Sequence, residues 1–378
     1  MLLNKDSVNK ISFIIPSFDV GGSEFISIHR ANYLGRNKFI PEIVYWLEGG
    51  KLKKHIKPEV STLKIKGSSL LMLLFSLIKY FKKSLPEIVH TSNYMVSNIV
   101  LIARMFSSHK PKVIIGAESD FNSVCNASKK WEGFLLRSLS KCLYHKCDKV
   151  VAVSKGVKKD LMKELKLEES KVTVIYNGIL TEKHRKEHSE IPNHHWYDLK
   201  GICLICSIGR LSPEKGIFEL VCAFRKAITS NNSLRLLIVG EGNEEIRIKE
   251  YIEKHSLEKY AEVIGFRENY YSYLDNADIF VLNSFFEGMS NILAEAVTTN
   301  TKIISTDCKH GPSEILHGVS DAKLIDVNNQ DQLVQAILDF SNKKKVKRKK
   351  MPNLQEFSFK ESMKKYMKVI HELNNKFA

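Results

Sequence analysis

Short apolar runs that end in glycine or polar turns recur along the whole chain, and segments with apolar residues at helical spacing separate most of them. The first run, KISFIIPSFDVGGSE, is followed by FISIHRANYLGR, which predicts a strand, a glycine loop and a helix. Similar runs follow at EIVYWL, EIVHTSN, KVIIGAES, KVVAVS and KVTVIYNG. Because alternating strands and helices form parallel sheets with crossover helices, this set predicts a doubly wound α/β domain over residues 1–181.

A second set of runs begins near residue 201 and has the same pattern. Its members are ICLICSIGR, LRLLIVGEG, AEVIGF, DIFVLNS, TKIISTD and AKLID. The polar, histidine-rich stretch 182–200 between the two sets shows no sustained periodicity, and we interpret it as a linker. At 378 residues the chain exceeds the size at which single cores stop growing, about 250–300 residues, so two Rossmann-like domains are expected.

Charge is distributed unevenly between these domains. Residues 1–190 carry 32 Lys and Arg against 18 Asp and Glu, residues 191–342 carry 14 against 21, and residues 343–378 carry 12 against 3. A basic first half, an acidic second part and a basic tail indicate two domains with different partners.

The composition also bears on location. The sequence has no stretch of 18 uninterrupted apolar residues and no signal-peptide pattern, so we expect a cytoplasmic protein. Seven scattered cysteines do not indicate a disulfide framework. Cys203 and Cys206 have the spacing of a metal knuckle, but no second pair follows, and we interpret them as buried strand residues.

Loops that directly follow strands are the candidate binding positions, because open parallel sheets bind ligands at the carboxyl ends of their strands. Gly21 and Gly22 would let the backbone approach an anion at a helix start, although a diglycine turn is structural about as often. Arg210 and Lys215 suit a diphosphate, since Arg grips two oxygens and Lys supplies a mobile charge; the alternative is a pair of solvated surface cations.

The stretch FFEGMSNILAEAV holds Glu287 and Glu295 among apolar and small residues. It follows the strand DIFVLNS, and Ser290 or Asn291 is a suitable helix cap, so Glu287 is expected in the loop and Glu295 one turn into a helix. Carboxylates in that position can accept hydrogen bonds from the vicinal hydroxyls of a sugar or ribose.

Four segments in order, SIGRLSPEKG, LLIVGEGN, FFEGMSNILAEAV and IISTDCKHGPSEIL, resemble the carboxyl-terminal domain of the retaining glycosyltransferases of family four. The resemblance implies the GT-B fold, α/β, in which two Rossmann-like doubly wound domains face a central cleft. It also implies a nucleotide-sugar domain over 201–355 and a final helix, 356–378, that crosses back to the acceptor-binding domain.

The resemblance implies a role for each matching residue. Arg210 and Lys215 would hold the donor diphosphate, Glu295 the nucleotide ribose and Glu287 the donor sugar. The other implied donor contacts are the glycine loop of the first domain, the turn after Glu287 and the residues where the base packs: Gly21, Gly22, Gly288, Met289, Ser290, Asn291, Phe266 and Arg267.

The first domain departs from the family pattern at one position. Many relatives place a histidine after a strand near the sugar, whereas the matching strand here reads KVIIGAESD and offers Glu118 and Asp120. We predict Glu118 as the catalytic group of this domain. His90, after the preceding strand, is a second candidate, although a lone histidine near a strand end is more often structural.

Sugar transfer with retention requires stabilisation of the departing diphosphate rather than a strong protein base. Arg210 and Lys215 can neutralise that charge, and no Asp-x-Asp motif occurs in the sequence. We therefore predict a metal-independent enzyme with no cofactor, for which the nucleotide-sugar is a substrate.

A lipid-linked or polysaccharide acceptor is expected, in synthesis of capsule or lipopolysaccharide. The segment SSLLMLLFSLIKYFKKS sets a long apolar stretch beside Lys79, Lys82 and Lys83, which suits a helix on an anionic membrane, unless it only packs on the sheet. The run KKKVKRKK at 343–350 is a further candidate for phospholipid contact. Peripheral attachment to the cytoplasmic face of the inner membrane follows from this interpretation.

Two other function classes remain open at this point. The basic runs and pI near 9.3 are typical of nucleic-acid-binding proteins, but no binding motif is present and the second domain is acidic, so no nucleic-acid partner is expected. A GT-B sugar-nucleotide epimerase would share the fold and need no acceptor.

We expect UDP-hexose or UDP-N-acetylhexosamine as the donor, by the family resemblance.

Overall fold

A computed structural model of the chain describes residues 10–19, 21–37, 39–179, 191–343 and 352–374. The chain divides into two compact units. Unit 1 is Met1–Gly178 with Lys360–Ala378, and unit 2 is Ile179–Phe359. Of the predicted linker, residues 182–190 lie outside the described residues and 191–200 belong to unit 2. Residues 344–350 of the basic run also lie outside the described residues.

Unit 1 is built on a seven-stranded, entirely parallel sheet in the order β3-β2-β1-β4-β5-β6-β7. Its strands are β1 (Lys10–Ile14), β2 (Ile40–Tyr45), β3 (Ser61–Lys64), β4 (Ile88–Thr91), β5 (Lys112–Ala117), β6 (Lys149–Ala152) and β7 (Val172–Val174). Its first helices are α1 (Gly22–Gly35), α2 (Leu70–Ser84), α3 (Tyr94–Phe106), α4 (Phe121–Ala127), α5 (Lys130–Leu143) and α6 (Lys155–Leu165). The middle strands are buried on both faces, which explains their continuous apolar runs.

Capping side chains start several of these helices directly after a strand. Asn93 accepts hydrogen bonds from the first amides of α3, Asp120 from the Ser123 amide of α4, and Ser154 from the Val157 amide of α6. Each cap satisfies amides that have no partner within the helix. The polar residue after each strand therefore defines where the chain turns back into a helix.

Unit 2 has a six-stranded parallel sheet in the order β10-β9-β8-β11-β12-β13. Its strands are β8 (Cys203–Ile208), β9 (Leu234–Val239), β10 (Ala261–Val263), β11 (Ile279–Leu282), β12 (Lys302–Thr306) and β13 (Ala322–Ile325). Its helices are α7 (Ile217–Ser230), α8 (Glu245–Lys254), α9 (Tyr270–Asn276), α10 (Asn291–Ala296), α11 (Pro312–Leu316) and α12 (Gln330–Ser341). Cys203 and Cys206 are buried in β8, as predicted.

Each sheet reverses its strand order once, between β1 and β4 in unit 1 and between β8 and β11 in unit 2. At such a point the loops leaving two neighbouring strands diverge and open a crevice at the carboxyl edge of the sheet. The loops after β8 and β11 carry Arg210, Lys215 and Glu287. The predicted donor site of unit 2 is therefore at its switch point.

The last helix, α13 (Phe359–Asn374), belongs to unit 1 from Lys360 onward. Its buried face recurs at helical spacing and consists of Met363, Tyr366, Val369, Ile370 and Leu373. The prediction of a final helix that returns to the first domain is confirmed. No described helix has the length and apolar character needed to span a bilayer.

Candidate active site

The loop that carries Arg210 is held by backbone contacts with the loop after β9. Leu211 donates a 2.9 Å hydrogen bond to the Glu241 carbonyl. Gly240 has φ +151°, and a Cβ there would lie 1.8 Å from the Gly209 carbonyl oxygen, so only glycine fits. The motifs SIGRLSPEKG and VGEGN thus form one interlocked pair of loops, from which the exposed Arg210 side chain projects.

A second contact joins the end of this loop to the loop after β11. Gly216 has φ +61°, and a Cβ there would lie 2.2 Å from the Asn283 carbonyl oxygen. The Asn283 side-chain amide donates a 2.8 Å hydrogen bond to the Gly216 carbonyl, and the Phe285 amide donates one of 2.8 Å to the Glu214 carbonyl. These contacts fix Lys215 opposite the residues that follow β11.

Lys215 and Glu287 form an ion pair. The Lys215 ammonium lies 2.7 Å from Glu287 Oε1, which also accepts a 2.7 Å hydrogen bond from the Ser284 hydroxyl. Both partners are largely shielded from solvent, with side-chain exposures of 24% for Lys215 and 8% for Glu287. The structure therefore brings together the cation predicted for the diphosphate and the carboxylate predicted for the sugar.

The end of β12 and the residues that follow it lie beside this pair. The Thr306 hydroxyl donates a 2.6 Å hydrogen bond to the Ser284 carbonyl, and Cys308 is buried nearby. Burial, together with the nearby Glu287 charge, raises the pKa of the Cys308 thiol to about 12. Cys308 is consequently a neutral wall residue at physiological pH and not a nucleophile.

Glu295 lies in α10, four residues after the helix begins at Asn291, as predicted. Its side chain is buried, and Oε1 accepts a 3.0 Å hydrogen bond from the Tyr270 hydroxyl of α9. Ser290 is at the N-cap position but its side chain makes no capping hydrogen bond. Tyr270 was not predicted, since nothing in the run RENYYSYL distinguishes it from a packing aromatic residue.

The remaining predicted donor residues of unit 2 surround these groups in sequence and differ in exposure. Gly288 and Met289 are buried, Asn291 and Phe266 are half-buried, and Arg267 is exposed. Arg267 donates a 3.1 Å hydrogen bond to the Phe266 carbonyl. A Cβ at Gly311, in the loop after β12, would lie 3.2 Å from the Met289 Cα, so that loop packs against the predicted sugar-binding turn.

In unit 1, Gly21 is the N-cap residue of α1 and Gly22 is the first residue of that helix. Gly21 has extended backbone angles that other residues adopt. A Cβ there would meet only the carboxylate end of Glu24, at 2.2 Å for Oε2. Because Glu24 can rotate away, the packing of unit 1 does not by itself require glycine at position 21.

Glu118 follows β5 and forms part of a buried cluster that the sequence did not predict. Its Oε1 lies 3.7 Å from Nη1 of Arg30, a residue of α1 that is only 1% exposed. The Arg30 guanidinium stacks on the ring of Tyr366 from α13, 4.9 Å from its centre. Burial raises the pKa of Glu118, while Arg30 and a hydrogen bond from Asn177 oppose that rise.

His90 belongs to the same cluster, at 1% exposure. Its Nε2 lies 3.5 Å from Arg30 Nη1 and its Nδ1 lies 3.1 Å from the Tyr366 hydroxyl. Since a guanidinium only donates, Nε2 is the acceptor and the proton resides on Nδ1. Burial and the Arg30 charge lower the pKa of His90 well below its ordinary value, so this environment favours a structural role.

His194, His195 and Glu262 form a polar cluster on the surface of unit 2. His194 Nδ1 accepts a 3.3 Å hydrogen bond from the Trp196 amide, which leaves the proton on Nε2, 3.1 Å from Glu262 Oε2. His194 and Glu262 are therefore joined by a hydrogen bond, and in that tautomer His194 has no free lone pair on Nε2 for a metal ion.

Comparison with known proteins matches both halves of the chain to family models. Residues 20–183 match the model described as Glycosyltransferase Family 4, and residues 200–356 match the model described as Glycosyl transferases group 1. Together these matches include every predicted donor residue and both predicted catalytic groups of unit 1.

Two curated bacterial proteins are similar in sequence. The N-acetylgalactosamine-N,N'-diacetylbacillosaminyl-diphospho-undecaprenol 4-alpha-N-acetylgalactosaminyltransferase of Campylobacter jejuni is 29% identical over 243 residues, 63% of this chain. That match spans only 62% of the Campylobacter protein. The amylovoran biosynthesis glycosyltransferase AmsD of Erwinia amylovora is 23% identical over 321 residues, which are 82% of this chain and 84% of AmsD.

Among solved structures, HepE of Anabaena in complex with UDP and glucose matches with a TM-score of 0.75 at 14% identity. The match covers 96% of this chain and 100% of HepE. At this identity the likeness concerns the fold alone, and it confirms the prediction of two Rossmann-like domains of the GT-B type.

Proposed function

Because this chain belongs to glycosyltransferase family 4, we propose that it transfers a sugar, with retention, from a nucleotide-sugar to a lipid-linked or polysaccharide acceptor in bacterial envelope glycan synthesis. The observation that carries the proposal is the Lys215–Glu287 ion pair at the switch point of unit 2. Family membership favours this activity over nucleic-acid binding and over epimerisation.

The donor is held by unit 2. Arg210 and Lys215 bind the diphosphate, since the exposed guanidinium can grip two oxygens and the ammonium is already fixed beside the crevice. Glu287 accepts hydrogen bonds from the hydroxyls of the donor sugar, and Glu295 accepts hydrogen bonds from the ribose hydroxyls. The turn 288–291 contacts the sugar and phosphate, and Phe266 and Arg267 contact the base. For unit 1, the diphosphate contact of Gly21 and Gly22 stays a prediction.

The donor is a UDP-hexose or a UDP-N-acetylhexosamine. Two similar proteins support this choice: HepE was solved with UDP and glucose, and the Campylobacter relative is an N-acetylgalactosaminyltransferase. The same relative is named for an undecaprenol diphosphate acceptor, which supports a lipid-linked acceptor for this chain.

The reaction breaks the bond between the anomeric carbon and the diphosphate while charge develops on both. Lys215 and Arg210 stabilise the negative charge of the leaving diphosphate, and preorganised charges of this kind supply much of the barrier reduction in such reactions. Glu287 stabilises the sugar as positive charge develops at its anomeric carbon. The acceptor oxygen bonds to the anomeric carbon on the face that the diphosphate leaves, so that the configuration is retained, and the leaving phosphate oxygen takes the proton of the acceptor hydroxyl.

In unit 1 we propose Glu118 as the carboxyl that orients the acceptor hydroxyl. Its side chain is 9% exposed, whereas Arg30 behind it is 1% exposed, so Glu118 is the member of the cluster nearer to solvent. Arg30 contacts Glu118 from the buried side, and His90 and Tyr366 contact Arg30 in turn. No metal ion takes part in this scheme, because cationic side chains supply the charge that a divalent ion would supply.

The protein binds peripherally to the cytoplasmic face of an anionic membrane through α2. That helix contains no acidic residue, and its outer face carries Leu71 and Phe75 followed by Lys79, Lys82 and Lys83, all exposed. A lipid-linked acceptor would be presented at that surface.

A panel of sugar nucleotides tests the activity. UDP-sugars should raise the melting temperature and be hydrolysed slowly in the absence of acceptor, whereas ADP- and GDP-sugars at equal concentration should not. With acceptor, NMR of the product should show the anomeric configuration of the donor. Stabilisation by no sugar nucleotide, or an epimerised donor as the only product, would overturn the proposal.

A further inference from the structure

Two helices of unit 1 expose large apolar side chains in their first two turns. On α2 these are Leu70, Leu71, Met72 and Phe75, and on α5 they are Trp131, Phe134 and Leu135. Trp131 is 65% exposed and Phe134 is 73% exposed. Exposed aromatic residues adjacent in this way on one helix commonly mark an interaction surface.

The two helices lie in the same layer. α2 connects β3 to β4, α3 connects β4 to β5, and α5 lies between β5 and β6, so right-handed crossovers put all three on one face of the sheet. α3 packs against both α2 and α5. Because each helix runs antiparallel to the strands, the first turns of α2 and α5 lie at the same, carboxyl edge of the sheet.

α3 is nearly all buried between its neighbours, with exposed residues only at its C-terminal end, at Met105 and Phe106. α2 and α5 therefore form two ridges on either side of it. Helices pack roughly 8–10 Å apart, so the ridges are separated by about 16–20 Å. Two parallel ridges of that spacing fit a flat partner better than a single peptide.

The charges on these ridges have one sign. α2 and α5 together contain five lysines and Arg137 against a single acidic residue, Glu132. The lysines are Lys79, Lys82, Lys83, Lys130 and Lys141, and none of them forms an ion pair with another described residue. An apolar and aromatic surface bordered by unpaired lysines is complementary to an anionic bilayer.

We propose that α5 is a second membrane-docking element, which inserts Trp131 and Phe134 into the interface of an anionic bilayer while α2 contacts the same surface. The proposal rests on the peripheral attachment proposed above for α2 and extends it to a helix with no charge run of its own. Two separated contacts would fix the orientation of unit 1 on the membrane, which a single helix cannot do.

Trp131 is itself a reporter. Vesicles of phosphatidylcholine containing about a third phosphatidylglycerol should shift its emission to shorter wavelength, and lipids brominated in the acyl chain should quench it. The other two tryptophans do not obscure this signal, since Trp196 is buried and Trp46 can be replaced by Phe in every variant. Trp131→Phe should remove both signals.

A matched pair of variants measures the contribution to binding. Trp131→Ser with Phe134→Ser should lower the vesicle partition coefficient by roughly tenfold or more, because two aromatic contacts with the bilayer are lost. Ile191→Ser with Ile246→Ser removes exposed apolar side chains from unit 2 and should leave partitioning unchanged. Neither pair changes the net charge.

Unquenched Trp131 emission, or equal partitioning of the α5 variant and its parent, would overturn the inference. A change in molecular mass by light scattering without a change in partitioning would also overturn it, and would indicate contact between copies instead. Thermal stabilisation by UDP should be unaffected by the α5 variant. If that stabilisation is absent from the parent as well, the proposed function fails independently of the docking surface.

Discussion

The Lys215 ammonium lies 2.7 Å from the Glu287 carboxylate, although 72 positions separate the two residues in the sequence. The pair joins the loops after β8 and β11, which leave the sheet of unit 2 on opposite sides of its switch point. In the absence of donor, each charge keeps the other oriented and partly neutralised. A diphosphate that enters would therefore meet an ammonium that is already held in place.

Removal of either cationic side chain predicted to bind the diphosphate should lower turnover by orders of magnitude and leave the fold intact. Each cation stabilises charge that grows as the diphosphate leaves, so the loss appears mainly in kcat. Arg210→Ala and Lys215→Ala are the variants, and Lys226→Ala is the control, since Lys226 lies exposed on α7, 3.8 Å from Asp331. Rates near that of the parent for either variant would exclude the phosphate role for that residue.

Lys215→Ala should differ from Arg210→Ala in a second measurement. Lys215 is hydrogen-bonded to the buried Glu287, whereas Arg210 is exposed. Hydrogen bonds to charged groups contribute roughly 1.5–3 kcal/mol, so only Lys215→Ala should lower the free energy of unfolding appreciably. Combining it with Glu287→Gln should recover part of that loss, as measured in a double-mutant cycle by urea unfolding of unit 2.

Activity should survive chelation. If Arg210 and Lys215 supply the leaving-group charge, millimolar EDTA should leave the initial rate unchanged, and added magnesium or manganese should not raise it. Loss of the rate with EDTA that returns with either metal would show that a divalent cation is the principal stabiliser of the diphosphate.

His90 should make the stability of unit 1 depend on pH. Burial keeps the folded-state pKa of His90 well below the value of about 6.5 expected in the unfolded chain. As the pH falls through 6.5, the unfolded chain takes up a proton there that the folded chain does not, and stability falls by at most about 1.4 kcal/mol per pH unit. His90→Gln should reduce this slope, whereas His371→Gln, at an exposed position of α13, should not.

Hydrogen exchange of β4 and α13 amides between pH 7.5 and 5.5 measures that slope for unit 1 alone. The prediction is wrong if the parent and His90→Gln lose stability in parallel as the pH falls.

Much of the fold could be predicted because its signals are local. The run EIVHTSN predicts a strand, which the structure confirms as the buried β4, and its polar end holds Asn93, the cap of α3. The same applies to Glu295, whose position within α10 follows from the strand and turn before it. Periodicity, caps and glycines act over a few residues and are visible without any tertiary contact.

The contacts that complete the sites could not be predicted in this way. Tyr366 meets His90 across 276 positions, and Arg30 appeared only as one polar residue within an amphipathic helix. Tyr270 reaches Glu295 from a different helix. Such pairs depend on how helices pack on the sheet, and the local pattern of one sequence does not contain that information.

The two glutamates of FFEGMSNILAEAV should fail differently when each is changed to glutamine. Glu295→Gln should weaken UDP itself, because the ribose hydroxyls lose a charged acceptor worth roughly 1.5–3 kcal/mol, or about 10- to 150-fold in Kd. The Tyr270 hydrogen bond to Oε1 can persist with the amide oxygen, so α10 should remain in place.

Glu287→Gln should instead leave the Kd for UDP nearly unchanged and depress kcat, since its proposed partner is the sugar, whose positive charge develops only in the transition state. Titration of UDP by calorimetry and a transfer rate for each variant give the comparison, with Glu250→Gln on the exposed face of α8 as the control. Equal loss of UDP affinity in both variants, or no change in either binding or rate, would mean that the two carboxylates have no separate roles in the donor site. The donor assignment for unit 2 would then have to be abandoned, because the ribose and sugar contacts are what distinguish a nucleotide-sugar from a free diphosphate.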